Sequence, residues 1–203
     1  MISTNSLSIL SQFYFNIKEN LRLLYQNSSF YEKKISKTLD TNFEYRPSPH
    51  LLSSVIKYQN KKYKIEDFAI ESIWQKNLNS KDYEKLNNFF WFFSLDLKSS
   101  KKTAQSVIKN WILNNNKYQK KSWEFDLTAK RIISWLSNHQ LTYENSDEEY
   151  RSIFDHMVQK QTNHLLNEMK NSNELENRMV GCAAIILTGL AYKNEKQYLD
   201  TGL

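Results

Sequence analysis

Apolar residues recur every three or four positions along most of this chain. Residues 7–26 carry Leu10, Phe13, Tyr14, Ile17, Leu21 and Leu24 at that spacing, which predicts an amphipathic helix. The stretch 40–54 holds Pro47 and Pro49 and reads as a loop. VIKYQNKKYKI, residues 55–65, alternates apolar and polar positions around Gln59–Lys61, the pattern of a short β-hairpin or extended arm. A lone hairpin must lean on other elements to be stable.

From residue 67 onward the period is helical. A short helix over 67–79 would hold Ile70, Ile73 and Trp74. Residues 80–98 include FFWFFSLDL, apolar nearly all round, which predicts one helix buried on several sides. Residues 100–115 place Ala104, Val107, Ile108, Trp111 and Ile112 on one face. Asp126 is placed to cap a helix over 127–139 with Ile132, Ile133, Trp135 and Leu136 inward. Ser146 with Glu149 fits a capping box opening 147–170, whose face is Tyr150, Ile153, Phe154, Met157, Val158, Gln161 and Leu165. Residues 175–192 are almost wholly apolar in their second half and predict an inner helix, and 195–203 begin another. That last start implies packing partners beyond residue 203. Helices of this length on short loops pack antiparallel, as a bundle, an α-solenoid or an α/α toroid.

Composition supports the helical reading and narrows the chemistry. The 203 residues include only 3 Gly and 2 Pro, too few for the turns of an all-β fold. At 40% hydrophobic residues the chain can bury a substantial core. Cys182 is the single cysteine, which excludes an intrachain disulfide; its apolar setting predicts a buried small hydrophobe. There is no basic-then-apolar leader, and no apolar run long enough to span a membrane. Location is left open, cytoplasmic by default and periplasmic as the alternative.

The net charge is +6, almost all of the base being Lys. Lys98, Lys101, Lys102, Lys109, Lys117, Lys120 and Lys121 run without an intervening acid, interleaved with Trp111, Tyr118 and Trp123. A nucleic-acid surface would use such a set, but the stretch has no Arg, and a solvated helix face is the favoured account. No Gly-rich phosphate loop, CxxC or HExxH occurs, so neither cofactor nor metal is expected. His156 and His164, eight apart on one helix, are too distant to share a metal and read as solvated or capping residues. Asp147, Glu148 and Glu149 read as helix-start acids that complement the dipole. The segment from Trp123 to Trp135 is less bland. Arg131 stands one turn before Trp135, and such a pair can build a cleft wall that pairs a carboxylate and stacks a sugar. The competing account is an Arg whose stem covers a packed Trp.

In order, FFWFFSLDL, VIKNWILNN, SWEFDLTAKRIISWL, HMVQKQTNHLL and NRMVGCAAIILTGLAY resemble the amino-terminal half of heparinase II/III-type proteins, in a bacterial branch without a signal peptide. Trp91, Leu95, Asp96, Trp111, Trp123, Ala129, Arg131, Trp135, Gln161, His164, Leu165, Arg178, Ala184, Gly189 and Leu190 carry the resemblance, from about residue 40 onward. It implies residues 1–40 as an amino-terminal helix and linker, and 41–203 as part of an incomplete α/α toroid, followed by a β-sandwich in the same polypeptide. It also implies an acidic polysaccharide as partner. Characterised members are lyases that cleave uronic-acid glycans by β-elimination. That chemistry needs a group to stabilise an enolate-like anion and a Tyr or His as base and acid. Many members carry Asn-His at the start of the inner helix, whereas this chain reads Glu176-Asn177-Arg178, and their catalytic Tyr and His lie downstream of the matched region. The expectation is a substrate-binding set of Arg131, Trp135, Asn177 and Arg178 with no catalytic residue in this chain. The alternatives are a non-catalytic interaction module and a basic nucleic-acid binder.

Overall fold

The computed structural model describes residues 4–37, 55–58, 61–64, 79–94, 101–192 and 198. Helix α1 spans Thr4–Gln26 and α2 spans Ser29–Ile35. Ser28 caps α2, its Oγ accepting from the Tyr31 amide. Strands β1 (Val55–Tyr58) and β2 (Lys61–Lys64) form an antiparallel ladder with Val55 opposite Lys64 and Tyr58 opposite Lys61. The expected loop over 40–54, the expected helix over 67–79 except Asn79, and all of 195–203 except Tyr198 fall outside the described residues. Apart from the ladder, the regular elements among the described residues are helices.

Over its described part, 80–94, the expected long helix of 80–98 is replaced by two shorter pieces. Helix α3 covers only Ser80–Asn87, and a 3-10 turn covers Phe90–Ser94. Phe89 lies between them at φ 58, the left-handed region that ends a helix. Folding the chain back there buries Phe89 and Phe92 together, with Phe89 edge-on to Trp111 and Trp135. A continuous helix would carry those two rings past the core.

Helix α4 spans Lys101–Asn115 and buries Ala104, Val107, Ile108, Trp111 and Ile112. Helix α5 spans Phe125–Ser137, starting two residues before the predicted position. Glu124 occupies its cap position without a side-chain cap bond, and Asp126 instead pairs with Lys130 at 2.6 Å. A single turn, α6 (His139–Thr142), leads to α7 (Glu148–Glu168). The capping box is also corrected. Asp147 is the N-cap, its Oδ1 accepting from the Tyr150 amide at 2.7 Å, while Ser146 donates to the Tyr143 carbonyl. A carboxylate at that position meets both the orphan amides and the helix dipole. A 3-10 turn, Met169–Asn171, joins α7 to α8 (Leu175–Ala191).

Helices α5, α7 and α8 pack on one another, with α4 and α2 against α7. Tyr31 and Ile35 of α2 therefore belong to the same core as Trp111, Trp123 and Trp135. Gly181 permits the close approach beside α5, because a Cβ there would lie 2.4 Å from Phe125 Cζ. Helix α8 is less enclosed than its composition suggests. Leu175, Met179 and Leu190 are exposed, and Cys182 is half-buried rather than sealed in the core.

Asp147→Ala should lower stability by about 1 kcal/mol in urea unfolding, the ordinary loss for a capping side chain. Ser146→Ala should cost visibly less.

Candidate functional site

The predicted binding residues separate into two environments. Arg131 is wholly enclosed, at 0% exposure, and so is Trp135. The Arg131 Nε donates to Gln161 Oε1 at 3.1 Å. Its Nη1 and Nη2 both donate to the Ser122 carbonyl, at 3.1 and 2.7 Å, and Nη2 also reaches Thr128 Oγ1 at 3.3 Å. The guanidinium lies 3.9 Å from the ring centroid of Trp111. Desolvation pushes its pKa down to about 9, partly offset by Tyr83, so it remains a cation at neutral pH. Arg131 is therefore neither a cleft wall nor a stem snorkelling to water. It is a buried brace joining α5, α7, Trp111 of α4 and the segment before α5.

Asn177 and Arg178 lie at the start of α8, Asn177 half-buried and donating to Glu174 Oε2 at 2.8 Å, Arg178 exposed. No hydrogen bond, ion pair or ring contact joins either to Arg131 among the described residues. The four residues are not brought into one site.

A different place has the shape of one. A cavity of about 570 Å³ opens between α1, the segment before α5 and the carboxy-terminal end of α7. Its lining includes Glu19, Arg22 and Gln26 from α1, then Tyr118, Lys120, Lys121, Trp123 and Glu124, then Phe125 of α5, and His164 and Glu168 of α7. Three basic and three acidic side chains among these balance one another. Arg22 donates to Glu19 at 2.7 Å and lies 3.5 Å from Glu168. Tyr118 donates to Gln26 Oε1 at 2.7 Å, and burial with the nearby Glu168 pushes its phenol up to about 12. Lys121 sits 4.0 Å above the Tyr83 ring. Tyr118 and Phe125 are half-exposed, while Trp123 is almost fully covered.

His164 forms the floor. Its Nε2 is 2.8 Å from the Trp123 carbonyl and its Nδ1 is 2.5 Å from the Tyr31 hydroxyl. The carbonyl can only accept, so Nε2 carries the proton and Nδ1 accepts from Tyr31. Burial, reinforced by the Arg131 and Arg22 charges, pushes the imidazole down to about 4 against the opposing Trp123 bond. This neutral, buried His corrects the expectation of a solvated or capping residue. His156, by contrast, is exposed.

The lysine face is already partnered in part. Lys101 pairs with Glu144 at 3.2 Å and Lys109 with Glu149 at 2.8 Å, so acids from the turn before α7 and its first turn neutralise it. Of its lining, Trp123 and His164 stood out in the sequence as carriers of the family resemblance. Arg22, Glu19 and Glu168 carried no signal, because their meeting depends on how α1 lies across α7. Among the described residues no three His, Cys, Asp or Glu side chains gather as a metal site, and no helix is long and apolar enough to cross a membrane. Comparisons of the chain with family models, curated proteins and solved structures give no match.

Arg131→Met should destabilise the protein by about 3 kcal/mol or more, since it strands the Ser122 carbonyl and Gln161 in the core; chemical denaturation would measure it. Acidification supplies a second check. His164 binds its proton more weakly folded than unfolded, so its contribution is complete above about pH 6.5 and is lost as pH falls towards 4. The loss is on the order of 3 kcal/mol. His156 acts in the same sense, while the raised pKa of Asp155 acts oppositely at lower pH. The difference between the stability–pH curves of wild type and His164→Gln should therefore be concentrated between those limits.

Proposed function

We propose that this chain is the helical part of a heparinase II/III-like protein and binds an acidic saccharide at the cavity between α1 and α7. The toroid arrangement belongs to this proposal. Its support is the series of helices packed on one another and the order of tryptophan-bearing segments that resembles the amino-terminal half of that family.

The observation that carries the binding reading is the mixed lining of the cavity. Half-exposed Tyr118 and Phe125 offer faces for a sugar ring. Lys120 and Lys121 stand at the exposed edge as carboxylate partners, and Gln26 and Asn171 add hydrogen-bonding groups. A lining of balanced charge suits a single uronate held by local pairing. It does not create the broad positive field that would gather a long polyanion. The chemistry of β-elimination needs a base and acid near the sugar C5, and His164 cannot serve. Both its nitrogens are occupied and it is held neutral. On this reading the chain binds, and catalysis belongs to groups outside it.

A second reading has its own observation. The apolar side chains of α1 face solvent over much of its length, with Tyr14 at 71% and Leu24 at 70% exposure. That favours an interaction module.

Titration with uronic-acid oligosaccharides, followed by tryptophan fluorescence and calorimetry, should show binding that neutral oligosaccharides of equal length do not. Lys120→Ala with Lys121→Ala should weaken it by at least about tenfold, the cost of roughly 1.4 kcal/mol in pairing. Absence of any heat or spectral change at low salt would remove the saccharide reading.

A further inference from the structure

Helix α1 meets the body of the protein only through its last two turns, chiefly by polar side chains, and leaves its large apolar side chains in solvent. Gln26 is buried against Tyr118, and Arg22 reaches Glu168 of α7. On the opposite side Phe13, Tyr14, Leu21 and Leu24 are 64, 71, 61 and 70% exposed. The apolar stripe also has a stricter period than a globular helix requires. Leu7, Leu10, Tyr14, Ile17, Leu21 and Leu24 alternate spacings of three and four without a break. That is the 3.5-residue repeat of a coiled-coil seam, and its natural occupant is another helix.

We infer that α1 pairs with α1 of a second copy of this chain, as an antiparallel two-stranded coiled coil that makes the protein a two-fold dimer. Antiparallel pairing in register sets Leu7 against Leu24, Leu10 against Leu21, and Tyr14 against Ile17, so every seam position has a partner. The same contacts repeat with the copies exchanged, as a two-fold interface requires. Lys18, the flanking charge beside the seam, falls near Ser11 of the other copy, so no like charges oppose one another. A parallel pair would instead stack Tyr14 on itself. At about 200 Å² per exposed aromatic side chain and somewhat less per aliphatic one, the exposed part of α1 offers on the order of 600 Å² per copy, close to the roughly 800 Å² per partner of a standard interface. A membrane-surface helix would need a basic polar face free. Here the end of that face, from Glu19 to Gln26, is committed to the body through Arg22 and Gln26, and Lys18 is the one basic side chain among the exposed residues 11–18. Pairing would also hold in place one wall of the cavity, while using none of the residues that line it.

Sedimentation equilibrium of the full chain across a wide concentration range tests the pairing. The expected result is a dimer mass that Leu21→Glu with Leu24→Glu returns to the monomer, weakening association by at least about 30-fold, while the circular dichroism and unfolding of the body are unchanged. A monomer at all concentrations overturns the inference, as does a dimer that survives both substitutions. So does a monomer that instead co-sediments with anionic phospholipid vesicles through the same residues. Cysteine cross-linking, with Cys182→Ser as background, tests the direction. Leu10→Cys and Leu21→Cys should form a disulfide when the two variants are mixed. A disulfide within either variant alone would overturn the antiparallel arrangement.

Discussion

Gln159 to His164 form a run of six polar residues in the middle of α7, and all six are buried. More than a full turn of helix is thus enclosed on every side, and each polar group must be satisfied by a neighbouring element. Between them, the last five reach α2, α5, α8 and the segment before α5. Lys160 holds Glu32 of α2 and the Asn116 carbonyl. Gln161 takes the Arg131 Nε from α5, and Thr162 meets Thr188 of α8 at 3.0 Å. Asn163 donates to the carbonyls of Ile35 and Lys37 at the end of α2, and His164 joins Tyr31 to Trp123. The helix works as an axle whose polar spokes set the position of everything around it.

The tryptophans depend on the same arrangement. Trp111 lies under the Arg131 guanidinium and donates to Asn87 Oδ1 at 2.8 Å, while Trp123 donates to the Asn115 carbonyl at 3.1 Å. Their indole N–H groups lock α3, α4 and the segment before α5 together, and the rings of Trp111 and Trp135 meet edge to face around Phe89. A cation without a carboxylate partner is tolerable there because carbonyl, amide, hydroxyl and aromatic face share its charge. Arg131 and Trp135 thus explain the shape of the core. The surface that can meet a ligand lies where α1 crosses the end of α7.

Helix α1 differs from the rest in how it is held. Its attachment is made through Arg22, Gln26 and the ring of Tyr25 against Tyr31, while its largest apolar side chains face outward. One edge closes a cavity and the other is free for a partner. The two functional readings of the chain therefore meet on a single helix.

The hydrophobic period by itself determined the approximate extent of α4, α5, α7 and α8, though not the single turn α6, and the inward faces of α4, α5 and α7, because burial of an apolar stripe is a local, periodic demand. It also contained the unbroken three-four repeat of α1. Tertiary structure decided the rest. The break at Phe89 depends on where Trp111 and Trp135 lie, and the cap of α7 on which of two adjacent side chains, Ser146 or Asp147, turns inward. Whether Arg131 faces a ligand or a carbonyl, and whether His164 meets water or Tyr31, depends on residues up to 133 positions apart. A polar side chain is equally at home at the surface and in a satisfied interior. Its sequence position does not distinguish them, and only the assembled neighbours supply the partners that make burial stable.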